Sequence, residues 1–182
     1  MKRRKFIQLS SKSTIALSAL SFCNRFPFIP QEPSPDRINT IRLDEMKEWD
    51  IIVSEDAIPS EKYAADEFQR LFKAITASEL KMNTVMKGNN GIYIGTSLRQ
   101  SHSPDFTVSS LKEEELHIRV DKDELLIAGG RPRGTLYGVY EFFERYIGIR
   151  FLTKDHTYIP QNASVVSIPL VEFKYAPPFF FR

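Results

Sequence analysis

The stretch Gly129-Gly130-Arg131-Pro132-Arg133-Gly134 is where the sequence comes nearest to chemistry. A glycine-rich turn ahead of a helix offers backbone N–H groups to an anion. Arg131 and Arg133 add guanidinium donors suited to a carboxylate or a phosphate. The spacing is neither the dinucleotide fingerprint nor the phosphate loop with its Gly-Lys-Ser/Thr ending. The same arginines could equally pair with acidic side chains of their own domain. A ligand site and a structural turn both stand open at this point.

Other residue types offer less. Glycoside hydrolysis uses two carboxylates about 5–10 Å apart, one of them with a raised pKa. Glu113-Glu114-Glu115 and the trio Asp121, Asp123 and Glu124 are acidic clusters, but they fall in turns where solvent would leave them unperturbed. His102, His117 and His156 lie far apart and lack metal-ligand spacing, and His117 is expected on the outward face of a strand. The serines have no nucleophile-elbow context. No catalytic constellation, metal site or cofactor motif is expected.

The elements that would position these residues can be read from periodicity. Thr40–Leu43 and Asp50–Ser54 are β-rich, and Ile51-Ile52-Val53 has the pattern of a strand buried on both faces. Pro59-Ser60-Glu61 opens a helix, with Ser60 as its cap and Glu61 favouring the positive end of the dipole. Tyr63, Ala64, Phe68, Leu71, Phe72 and Ile75 form its apolar stripe, and Asp66, Glu67, Arg70 and Lys73 its wet side. Gly88–Gly91 is a turn into the strand Ile92-Tyr93-Ile94, which ends at Gly95. Residues 97–112 read as a surface excursion. Leu116, Ile118 and Val120 alternate with His117, Arg119 and Asp121 as in a half-buried strand, with Leu125–Ala128 as its hairpin partner. Leu136, Val139, Tyr140, Phe143 and Ile147 mark a second helix closed by Gly148. Ile149–Leu152 and Val165–Ile168 complete the strands. The expected fold class is α+β, a mixed sheet with two main helices packed against it.

The ends of the chain speak to location. Lys2, Arg3, Arg4 and Lys5 precede Phe6-Ile7 and a mild apolar stretch from Thr14 to Cys23, the pattern of a removable export signal of the twin-arginine type. The apolar run is about half the ~20 residues a membrane-spanning helix needs. Residues 1–23 are therefore expected to be a signal peptide, directing the chain to the periplasm or beyond. Lipid attachment at Cys23, the only cysteine, is the less favoured form, because the preceding Phe22 is not small. The whole chain has 25 basic and 23 acidic residues, net +2, but the signal holds five of the basic ones and no acidic one. What remains carries a net charge of about −3, which argues against nucleic acid as a partner. Residues 24–40, with Pro27, Pro30, Pro33 and Pro35, read as a linker. Residues 41–175 are long enough for one domain with its own core.

Several motifs, in this order, resemble one domain superfamily. They are Ile52–Ala57, Ser60–Phe68, Ile92–Gly95, Ile127–Phe143 and Gly148–Leu152. The chain is similar over about 50–160 to the N-terminal domain of bacterial alpha-glucuronidases and to the domain that precedes the barrel of beta-N-acetylhexosaminidases. That resemblance implies a layer sandwich acting as an accessory unit beside a (β/α)8 barrel, which holds the catalytic carboxylates. It gives Gly130, Arg133, Gly134, Leu136, Tyr137, Gly138 and Tyr140 a helix-start and packing role, leaving Arg131 and Arg133 as weak substrate-binding candidates. Residues 176–182 stand where such relatives would be entering the barrel. The expectation is a non-catalytic accessory domain of an exported glycoside hydrolase, its barrel lost or supplied in trans. The alternative is a free-standing module that binds carbohydrate or another protein.

Overall fold

Alternation within three short runs decides the architecture. In the computed structural model, which describes residues 39–95 and 111–177, Ile51, Ile92, Ile94, Leu125 and Ile127 face one large core. Their immediate neighbours Ile52, Tyr93, Leu126 and Ala128 form a smaller cluster on the opposite face. Period-two alternation sends successive side chains to opposite sides, so these strands are buried on both faces. The expected signal, most of the linker and the excursion, together with Cys23 and His102, lie outside the described residues, as do residues 178–182.

In chain order the elements are β1 (Thr40–Arg42), a 3₁₀ turn (Leu43–Glu48), β2 (Asp50–Val53), α1 (Pro59–Thr76), β3 (Lys81–Asn83) and β4 (Gly91–Ile94). There follow β5 (Leu116–Val120), β6 (Glu124–Gly129), α2 (Gly134–Phe142), a π-helical turn (Phe143–Ile147), β7 (Arg150–Thr153) and β8 (His156–Tyr158). A 3₁₀ turn (Ala163–Val165), β9 (Ser167–Pro169) and β10 (Val171–Tyr175) complete the described chain. Six strands form one sheet in the order β10-β5-β6-β4-β2-β3. β3, β2, β4 and β6 run parallel, while β5 is antiparallel to both β6 and β10. β1 pairs with β9 and β7 with β8 as separate ribbons. This is the α+β mixed sheet with two main helices that the sequence implies.

Both helices lie on the large-core face. Phe68 of α1 meets Phe143 at 5.0 Å and Phe142 at 5.8 Å between ring centroids, and Phe142 meets Phe143 edge-on at 5.3 Å. All three phenylalanines are fully buried. Such tilted and edge-on contacts are favourable beyond the area they bury. They weld α1 to α2 above the sheet.

Several local expectations need correction. Ser60 does not cap α1. The N-cap is Ile58, whose N–H donates to Glu61 Oε2 at 3.1 Å, because Pro59 already occupies the first helical position, where its missing N–H costs nothing. Glu67 is buried rather than wet, while Tyr63 is 51% exposed rather than core. Glu124, expected in a solvated turn, is also buried. Val165 belongs to a 3₁₀ turn, so the strand there starts only at Ser167. Gly148 does close the second helix, in the left-handed region at φ 81°, as its position predicts.

Candidate functional site

The glycine-rich turn between β6 and α2 is closed upon itself. Gly130 N–H donates to Glu115 O at 2.8 Å, Gly134 N–H to Gly130 O at 2.9 Å and Gly129 N–H to Thr135 Oγ1 at 3.0 Å. The N–H groups of all three glycines are thus committed to the protein. The glycines are required by crowding: a Cβ on Gly130 would stand 1.6 Å from Lys112 O, and one on Gly134 2.4 Å from Glu115 O. Gly138 likewise lies against Ile127 of β6, where a Cβ would come within 2.8 Å, so α2 packs closely on the sheet. Arg131 reaches back to Glu61 of α1, Nε to Oε1 at 3.3 Å. Ser60 Oγ donates to Pro132 O, a second tie between the turn and the start of α1. Arg133 is exposed, and the Tyr137 hydroxyl and Glu114 both favour its charged form. Leu136, Tyr137 and Tyr140 are half-buried against the large core.

A second region is open where the first is closed. A cavity of about 740 Å³ is lined by Tyr63, Glu67 and Arg70 of α1, Tyr140 of α2, and Phe151, Thr153, Lys154, Asp155 and Thr157 of the β7–β8 ribbon. That volume lies within the ordinary range for small-ligand sites. At its base Arg70 donates in bidentate fashion to Glu67, Nε to Oε1 at 2.9 Å and Nη2 to Oε2 at 2.8 Å. The Tyr140 hydroxyl donates to the same carboxylate at 3.2 Å. The Arg70 hydrogen bond, assisted by the Tyr140 and Tyr63 hydroxyls, holds the Glu67 carboxyl below the usual range against the opposing effect of burial. Burial, with the Glu67 charge beside it, raises the Tyr140 phenol in turn. The Tyr140 ring meets Phe151 edge-on at 4.9 Å. The region is an aromatic and polar cleft whose one buried charge is fully paired.

The family model for the N-terminus of glycosyl hydrolase family 67 matches residues 38–142, more than half of the chain. The chain belongs to that family. Among solved structures, this family 67 N-terminal domain is similar to part of a family GH115 4-O-methyl-alpha-glucuronidase with specificity for decorated arabinogalactans. The identity is 19% and the TM-score 0.51, over 71% of this chain and 17% of that one. At that identity the likeness is one of fold, and the chain spans about a sixth of that protein's length. No curated protein matches the sequence.

The family match contains the closed turn and all of α2 but stops short of the β7–β8 ribbon. One wall of the cleft therefore lies within the matched residues and the other outside them. Sequence reasoning overlooked the cleft because it sorted α1 by residue type. Tyr63, Glu67 and Arg70 stand at i, i+4 and i+7, which is a single helix face. The histidines remain apart: His156 is exposed on β8, while His117 is buried, not outward. β10 covers β5, and His117 Nε2 lies 2.8 Å from Glu172 Oε1. Burial foremost, with Lys174 nearby, pushes the imidazole down to about 4 despite that hydrogen bond. Among the described residues no group of three His, Cys, Asp or Glu could hold a metal ion. No described helix is long and apolar enough to cross a membrane.

Proposed function

We propose that this domain is a non-catalytic accessory unit of an exported glycoside hydrolase related to the alpha-glucuronidases. The bond-breaking carboxylates belong to a separate catalytic domain, in cis or in trans. The observation that carries this reading is the closed turn at Gly129–Gly134. The family's most distinctive stretch spends the N–H groups of Gly129, Gly130 and Gly134, the close approach those glycines allow, and Arg131 on packing β6, α1 and α2 together. The state of two buried acids supports the same reading. A glycosidase needs one carboxyl kept protonated near neutral pH. Glu67 is held the opposite way by Arg70, and Glu61 is engaged by Arg131 and the Ile58 N–H.

The purified chain is expected to show no turnover of 4-nitrophenyl glycosides or of glucuronic-acid-bearing xylo-oligosaccharides. Turnover that persists through purification and disappears in the Arg131→Ala, Arg133→Ala double variant would overturn the proposal. Export is tested on its own: Arg3→Lys with Arg4→Lys should retain a fused reporter in the cytoplasm, and unchanged export of the double variant speaks against a twin-arginine route.

A further inference from the structure

We propose that the cleft between α1 and the β7–β8 ribbon binds an uncharged stretch of a glycan chain. A pyranose ring has apolar C–H faces and a rim of hydroxyls, so its site needs exposed aromatic surface beside hydrogen-bond donors and acceptors. Tyr63 supplies the first, with half of its surface open at the mouth of the cleft, and a ring so placed offers large contact area at small conformational cost. Thr153, Lys154, Asp155 and Thr157 supply the second from the opposite wall. Arg70 adds Nη1, which makes no hydrogen bond to a described residue, its Nε and Nη2 being taken by Glu67.

Charge selects the uncharged segment. The lining holds two cations, Arg70 and Lys154, and two anions, Glu67 and Asp155. Glu67 cancels Arg70 through their bidentate pair, and Lys154 and Asp155 add one charge of each sign, so the lining carries no net charge to draw in a carboxylate. An acidic substituent would gain nothing here, whereas hydroxyls could bond to either sign. Glu67 acts as a positioning residue. Its carboxylate holds Arg70 and Tyr140 in place and has no need to meet the ligand. The choice of a glycan over other polyhydroxylated ligands rests on the accessory-domain reading above, while the cleft and its charge balance do not.

The test uses the full chain and isothermal titration calorimetry with xylohexaose, cellohexaose, mannohexaose and chitohexaose, and with a xylo-oligosaccharide bearing 4-O-methylglucuronic acid. At least one neutral hexasaccharide should bind, with an affinity that changes little between low and high salt. Tyr63→Ala should weaken it about tenfold or more, Tyr63→Phe by less than about threefold, and Tyr175→Ala, an exposed tyrosine of β10 outside the lining, not at all. Thermal unfolding should show both Tyr63 variants folded at the temperature of the titration, since the side chain is half exposed. Binding of none of the four neutral probes overturns the proposal. So does binding of the acidic probe alone, with loss in Lys154→Ala. Hydrolysis of a bound probe would contradict the accessory-domain reading and leave the cleft standing, so the two failures are distinguishable.

Discussion

The turn at Gly129–Gly134 and the cleft below Tyr63 are both built where α1 meets α2 or the segments beside it, yet they use their polar groups in opposite ways. In the turn the N–H groups of Gly129, Gly130 and Gly134 are bonded to other parts of the chain, and the glycines let backbone touch backbone. In the cleft one carboxylate is tied down so that an arginine and a tyrosine are held beside open space. A motif rich in glycine and arginine is therefore not a binding site by virtue of composition. What decides is whether its donors are already spent.

That contrast can be broken most forcefully at the turn. Gly130→Ala puts a methyl group 1.6 Å from the Lys112 carbonyl oxygen, an overlap that only backbone movement can relieve. It should destabilise by more than about 3 kcal/mol, or prevent folding, in chemical denaturation; a near-neutral result would mean that the turn is not closed. Arg131→Ala strips a partner from Glu61, whose side chain is 1% exposed. Because Arg131 itself is half exposed, the expected loss is only about 1–2 kcal/mol, read the same way.

Acid sharpens the comparison from a third place, the β5–β10 edge. His117 titrates in the folded protein at about 4 rather than 6.5. Between those values the unfolded chain binds a proton that the folded chain refuses, so stability is fully present above pH 6.5 and is lost as pH falls toward 4. The loss should reach about 2–3 kcal/mol, seen as a falling melting temperature. The facing charges Glu172 and Lys174 of β10 and Arg119 of β5 should keep the effect when the Gly129–Gly134 region is altered, and His117→Gln should flatten the profile. The smallest effect belongs to Ala77, which ends α1 at φ 58°, a conformation that favours glycine. Ala77→Gly should raise stability by up to about 1 kcal/mol, leaving both regions unchanged.

Much of the fold was legible because its strands and helices carry strong periodic signals. Ile51-Ile52, Ile92–Ile94 and Leu125–Ala128 read as buried strands, and the Phe68 and Val139 stripes as helices. β3, β8 and β10 were not foreseen. Lys81-Met82-Asn83 and Val171–Tyr175 are largely exposed or half-exposed, and their strand state is fixed by pairing with β2 and β5, which no local pattern announces. The partner of His117 was missed through the same omission, since Glu172 stands on β10. The cleft was illegible for a related reason. Phe151 and Thr157 meet Tyr140 and Tyr63 only through tertiary packing, and Glu67 was read by its charge rather than by its angle on the helix.

The central claim, that ligand meets the cleft while the glycine turn serves the fold, is most directly tested by following backbone amide shifts of the isotope-labelled full chain during titration with the four neutral hexasaccharides. The account predicts that for the probe that binds, shifts concentrate at Tyr63, Glu67, Arg70, Tyr140 and 151–157, with 129–134 unmoved. Shifts centred on Gly129–Gly134, with the cleft silent, would contradict it.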